Sequence, residues 1–306
     1  MSNIVITSGS RYVDIDAYSS CIAYRELLSV IGIPAKAVTT APFNESISEI
    51  VRKIPLSFDA YTPTEKDKFI ILDVSEPEFL DKFVKESQIV ELLDHHTGYE
   101  EYWKERLGKK SQIISIGSVA TMIYEKFLSM NKKSALTQDV CKLLIAAITD
   151  NTLNLKAGIT TEKDISAFKD LMEVGNIYKD WPVDYLEDCE KSILTDLTSS
   201  IRRDTKTNLP CNMPQTLGQL TVFNHEKIFA SKHLIDKSFQ DKDDWALNIL
   251  SLKDGTSHLF TTSTISKKKL EKLFDRKYDS DVLKLDRLLL RKEIVRLAQE
   301  QDSEII

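Results

Sequence analysis

"VELLDHHTGYE" (residues 90–100) is the stretch whose reading decides the fold. An apolar run ends there on Asp94, His95 and His96, in a chain of 306 residues that holds five histidines. A short apolar segment closing on polar groups reads as a buried strand delivering its last residues to a functional edge. Working outward, "NIVIT" (3–7), "AKAVT" (35–39), "FIIL" (69–72), "QIVELL" (88–93) and "QIISI" (112–116) read the same way. Between the first two, Ala17, Cys21, Tyr24, Leu28 and Ile31 recur at spacings of four and three, which predicts a helix with one buried face. Further helices are expected at 118–130, 138–149 and 162–174. The alternation predicts an α/β fold, with an N-terminal, largely parallel sheet flanked by helices.

The pattern changes near residue 190. "DYLEDCEKSILTDLTSSIRRD" reads as a charged linking helix, and "LGQLTVF" (217–223), "WALNILSL" (245–252) and "HLFTTST" (258–264) read as strands of a second, smaller α/β domain with a charged helical tail. Two domains are expected, 1–190 and 191–306. A hydrophobic fraction of 42% is enough for sizeable cores. Forty-seven acidic against 41 basic residues give a net charge of −6, which argues against the whole surface being a nucleic-acid binder and requires any phosphate site to be built locally. Cys21, Cys141, Cys189 and Cys211 form no C-x-x-C pair, which suits free thiols in a reducing compartment. With no signal-peptide pattern and no apolar run of about 18 residues, a cytoplasmic chain outside the membrane is expected.

In an open parallel sheet, functional groups gather beyond the carboxyl ends of the strands. Asp14 and Asp16 follow the first strand, Asp73 follows "FIIL", Asp94, His95 and His96 follow "QIVELL", and Asp150 ends the helix "DVCKLLIAAIT". Each acid taken alone is also ordinary turn or cap chemistry. Together, four segments bring carboxylates and imidazoles to one edge, which suits a pair of divalent ions able to activate water and neutralise phosphoryl oxygens. An Asp/His donor set suits Mn²⁺, Mg²⁺ or Co²⁺ over a thiolate-seeking ion. His225, His233 and His258 read as isolated, locally satisfied residues.

The order D-x-D, strand-end D, D-H-H and a later D resembles the DHH phosphoesterase superfamily. "SIGSVATMIYEKF" (115–127) is similar to the stretch that follows its D-H-H loop, and "ITDNTLNLKAGITTEKD" (148–164) to its fourth metal motif. "SIRRDTKTN" and "LLLRKEIVRL" resemble the basic segments of the second domain found in manganese-dependent inorganic pyrophosphatases and in short-chain exopolyphosphatase, prune-like relatives. The resemblance implies hydrolysis of a small phosphoanhydride, pyrophosphate or short polyphosphate, in a cleft between the domains. It implies that Asp14 and Asp73 serve one ion while Asp16, Asp73, His95 and Asp150 serve the other. It further implies that Asp73 bridges, that His96 faces substrate phosphate, and that Asp94 orients the imidazoles. Lys206, Arg291 and Lys292 would grip the phosphates, with "SKKK" (266–269) as the rival basic patch.

Two departures stand out. The pyrophosphatases carry a histidine ligand four residues before the first Asp of D-x-D, where this chain has Ser10, and "LDVSEPEF" lacks the histidine or asparagine usual after Asp73. A DHH-type phosphodiesterase or nuclease acting on nucleotides, and a catalytically weakened phosphate-sensing protein, therefore stay open beside the hydrolase reading. The oligomeric state is open too.

Overall fold

The computed structural model describes residues 3–210 and 212–303. It divides into two compact units, Met1–Tyr185 and Leu186–Ile306. The first is built from β1 (Asn3–Thr7), α1 (Ile15–Val30), β2 (Ala35–Ala37), α2 (Glu49–Arg52), β3 (Asp67–Leu72), β4 (Ile89–Asp94), α3 (Glu100–Leu107), β5 (Ser111–Ile113), α4 (Val119–Ser129), α5 (Gln138–Asn151) and α6 (Glu162–Val174). Its five strands lie in the order β2-β1-β3-β4-β5, and every pairing among them is parallel. The chain leaves β1 for β2 on one side and returns to β3 on the other, so the crevice between the ends of β1 and β3 is the topological switch point at which open sheets bind ligands.

Alternation along the strands feeds two faces. Phe69 and Ile71 of β3 pack with Val5, Val38, Leu92 and Trp103 of α3 on one side. The other face is covered by α1, which is buried around most of its circumference because it also packs on α4 and α5. A single apolar stripe was expected for α1; Ser19 and Ser20 on its remaining sides are buried as well.

The second unit takes in the end of α7 (Trp181–Thr195), then α8 (Leu197–Arg203), β6 (Thr205–Thr207), β7 (Thr216–Val222), α9 (His225–Phe229), α10 (Lys232–Ser238), β8 (Trp245–Ser251), β9 (Thr256–Phe260), α11 (Thr264–Phe274), β10 (Val282–Leu285) and α12 (Arg291–Ser303). Its sheet has the order β10-β9-β8-β7-β6, antiparallel except for β7 with β8. Phe260, Leu247 and Ile249 pack under α8 to α10, and Leu217, Leu259 and Leu283 pack under α11 and α12.

Three sequence readings need correction. The expected single linking helix breaks at Asp196, whose backbone is non-helical and whose side chain accepts from Ser199 N at 3.1 Å, capping α8 as a new helix. The edge strands β6 and β10 were not foreseen. His225 and His258 are not isolated: their rings stack with centroids 3.9 Å apart, and His225 Nδ1 lies 3.2 Å from Asp254. Cys21, Cys141 and Cys189 are buried, while Cys211 lies outside the described residues. Among the described residues no helix is long and apolar enough to cross a membrane.

Candidate metal centre

Each acid reaches the switch point for a local reason. Asp14 is the N-cap of α1, its carboxylate accepting from Ala17 N at 3.0 Å. Asp16 lies in the first turn of α1 and is fully buried. Asp73 leaves β3 in the left-handed region, with φ 61°, and its N–H is held by Leu93 O at 2.9 Å. That conformation is uncommon outside glycine, is tolerated by aspartate, and turns the carboxylate away from the strand direction. Asp94 is the last residue of β4, and Asp150 lies in the last turn of α5.

Asp94 organises the histidine pair. Its Oδ1 accepts from the N–H of His95 at 2.7 Å, the N–H of His96 at 3.2 Å and His96 Nδ1 at 2.8 Å. Burial, the largest single influence, opposes ionisation of Asp94, but the hydrogen bonds from His96 and Ser75 and the charge of His96 together outweigh it and hold the carboxyl below its ordinary range. Desolvation would lower the His96 pKa; the hydrogen bond and charge of Asp94 outweigh it, so the value is raised. His96 nevertheless keeps 55% of its side chain exposed.

His95 Nδ1 lies 3.1 Å from Ile116 O. A carbonyl can only accept, so Nδ1 carries the proton and Nε2 offers its lone pair. That lone pair lies 3.4 Å from Asp73 Oδ1, a buried oxygen with no hydrogen-bond partner. Two acceptors facing each other in a buried spot are destabilising unless a cation or a proton sits with them.

The surrounding charge points the same way. Asp73 is pushed well above the usual carboxylate range by burial and by the charges of Asp16, Asp14 and Asp94. Burial, with the neighbouring Asp16, raises Asp14, and burial raises Asp16. Asp150 is pushed up to about 7 by burial and by Asp14. One atom each of Asp73, His95 and His96 lie within 4.8 Å of one another. A donor set of carboxylate oxygens with an imidazole lone pair, containing an orphaned buried oxygen, fits a divalent ion of the Mn²⁺ or Mg²⁺ type.

Several partners had no signal in the sequence. Asp16 accepts from Ser118 Oγ, Val119 N and Ala120 N, each at 2.9 Å, and from Ser20 Oγ at 3.2 Å, so the N-terminus of α4 holds it. Its Oδ2 takes one of these bonds and keeps a lone pair. Tyr185 OH reaches Asp150 Oδ1 at 3.3 Å. Trp103 Nε1 donates to Ser75 O at 2.6 Å, pinning the segment after Asp73. Ser10, at the position where the pyrophosphatases have a histidine, donates from both its N–H and its hydroxyl to Phe79 O, at 2.8 and 3.0 Å.

In the second unit, Lys206 lies on edge strand β6, opposite Leu217. Arg291 opens α12, and its guanidinium bonds Asp204 Oδ1 at 2.5 Å, Asp204 O at 2.7 Å and Leu217 O at 3.4 Å. The basic segments around 206 and 291 are thus brought to one edge of the sheet, with Lys292 next in the helix. The rival "SKKK" patch is largely spent on structure: Lys267 pairs with Asp281 at 2.7 Å and Lys269 with Asp244 at 2.6 Å.

Residues 3–148 match the DHH family, N-terminal domain. Over 304 residues the chain is 24% identical to a Lactobacillus gasseri protein provisionally named a manganese-dependent inorganic pyrophosphatase, covering 94% of each. It is 24% identical over 176 residues to the Bacillus subtilis manganese-dependent inorganic pyrophosphatase, covering 56% of each. Among solved structures, a Methanococcus jannaschii protein provisionally assigned as a family II inorganic pyrophosphatase superposes with a TM-score of 0.64 at 20% identity, over 97% of this chain and 99% of that one. A Bacteroides fragilis exopolyphosphatase-related protein gives 0.53 at 14% identity, over 99% and 93%. These likenesses establish a shared fold.

Proposed function

We propose that this chain, whose residues 3–148 match the DHH family, N-terminal domain, is a metal-dependent hydrolase of phosphoanhydride bonds acting on inorganic pyrophosphate or short-chain polyphosphate with two divalent ions. The observation that carries this reading is the buried, unpartnered Asp73 Oδ1 facing the His95 Nε2 lone pair among acids whose pKa values are raised. The names of the relatives at 24% identity support the substrate class and favour Mn²⁺ among the candidates Mn²⁺, Mg²⁺ and Co²⁺.

In this reading Asp14 and Asp73 would hold one ion, and Asp16, Asp73, His95 and Asp150 would hold the other. Bound ions supply charge compensation for phosphoryl oxygens and lower the pKa of water. The chain's own groups do the positioning. Asp94 fixes the orientation of His96, leaving its exposed ring edge to donate to a substrate phosphate. Ile116 O fixes the His95 tautomer. Lys206, Arg291 and Lys292 receive the remaining phosphate charge, Arg291 exchanging its bonds to Asp204 for phosphate oxygens that it can grip two at a time.

A phosphate-release assay on pyrophosphate, tripolyphosphate and a dinucleotide, each with Mn²⁺, Mg²⁺ or Co²⁺, tests the proposal. Metal-dependent release from pyrophosphate or tripolyphosphate is expected. Cleavage of the dinucleotide alone would replace it with the phosphodiesterase reading. Metal binding without release from any substrate would make the chain a phosphate-sensing protein.

A further inference from the structure

The second unit has a concavity of about 700 Å³ at the β10 edge of its sheet, lined by Lys232, His258, Arg276, Lys277 and Lys284, with Asp279 its one carboxylate among the described residues. The edge strand at the opposite side, β6, carries Lys206. Four strand spacings of about 4.8 Å separate the two edges, or roughly 19 Å, so this concavity is distinct from the basic cluster around Arg291.

Its walls come from different elements. His258 on β9 is directly opposite Lys284 on β10 and forms the floor, 5% exposed, with its Nε2 3.0 Å from Thr256 Oγ1 and its ring stacked on His225. Burial, with the charges of His225 and Lys284, pushes its pKa down to about 4, so the floor stays neutral. Lys232, at the start of α10, holds its ammonium 5.7 Å from the Phe229 ring and 5.9 Å from the Phe260 ring. Arg276 and Lys277 on the rim are tied to Asp286 and Glu271. Lys232 and Lys284 form no ion pair with a carboxylate among the described residues, although this acidic chain has more carboxylates than cations. Two uncompensated ammonium groups over a neutral floor, in a volume suited to a small molecule, define a polyanion site.

We propose that this concavity binds a phosphate chain of two or more phosphates, bridging Lys232 and Lys284, at a place separate from the metal centre. Lysines act as point charges on phosphate without the planar demand of a guanidinium, so the site should take the chain whether or not it carries a nucleoside. Its occupancy is open to a regulatory role.

The test is calorimetric titration of tripolyphosphate, and separately ATP and citrate, into the full chain with EDTA present, which silences the metal centre. Submillimolar tripolyphosphate binding is expected, weakened at least tenfold in Lys232→Gln/Lys284→Gln and unchanged in Lys109→Gln, an exposed lysine of the first unit. Both lysines are exposed, so the double variant should melt like the parent, and a fluorescence melt checks this. Comparable tripolyphosphate and ATP binding supports the phosphate chain as the recognised group. Equal affinity for citrate, an undiminished double variant, an equal loss in Lys109→Gln, or no binding below 10 mM would each overturn the proposal. None of these outcomes depends on turnover, so the hydrolase reading stands or falls separately.

Discussion

At the scale of single residues, the candidate metal centre is marked more by orphaned acceptors than by an excess of ligands. That Asp73 and His95 come together was legible because strand ends in a parallel sheet converge. What they require was not, since the His95 tautomer is set by Ile116 O and the Asp73 turn by a left-handed backbone. Ser10 shows the same limit: the sequence marks a missing imidazole, and the structure adds that the hydroxyl is bonded to Phe79 O. Ser10→His is expected to shift metal preference toward Mn²⁺ over Mg²⁺ in competition titrations, because imidazole suits the former better; an unchanged preference would mean that residue 10 does not face the ions. Away from the site, Asp67 is a buried carboxylate. Burial alone would raise its pKa, but bonds from Tyr61, Asn3 and Thr64 hold it at about 2. Its folded pKa is below the unfolded value of about 3.9, so its stabilisation is present above pH 4 and is lost as pH falls toward 2. Asp67→Asn should remove that share of the acid dependence and cost about 1–3 kcal/mol at pH 7. Urea denaturation at several pH values checks this, and parallel parent and variant profiles between pH 4 and 2 would refute it.

At the scale of elements, long periodic segments were readable and short or doubly covered ones were not. The helices after "SIGS", "ALT" and "GITT" announce themselves through Ser118, Thr137 and Thr161 as N-caps, the last with a full capping box. By contrast "TKT" of β6 and "VLKL" of β10 are too short and too charged to stand out. The burial of α1 around most of its circumference follows from the two layers that enclose it, which periodicity along one helix does not encode. The α4 N-terminus is the element that joins fold to site, because it grips Asp16 while Gly117 N donates to Asp164 at 3.0 Å. A Cβ at Gly117 would stand 2.6 Å from Thr152 Cγ2 and 2.7 Å from Asp164 Oδ2. Gly117→Ala should therefore cost about 1–3 kcal/mol by overpacking and weaken metal binding through Asp16. A variant with the parent's stability and metal affinity would show that this junction gives way freely.

At the scale of the whole molecule, the charge distribution is what the composition could not show. A chain of net charge −6 sets several acids at one strand-end crevice and cations at both edges of the second sheet. The D-x-D, D and D-H-H order was specific enough to point from sequence to the family whose model matches residues 3–148. The pairing of Arg291 with Asp204 was invisible because 87 residues separate them. If Arg291 serves substrate phosphate, Arg291→Ala should leave the number of bound ions unchanged and cost about 2–4 kcal/mol of transition-state stabilisation, seen in kcat as well as KM. Kinetics like the parent's would remove Arg291 from the site. The central claim, two ions bridged by Asp73, is tested most directly by counting Mn²⁺ bound per chain by elemental analysis, for the parent and for Asp73→Asn after equal dialysis. The account predicts two ions in the parent and at least one fewer in the folded variant, because a neutral amide cannot bridge two cations; two tightly held ions in Asp73→Asn would contradict it.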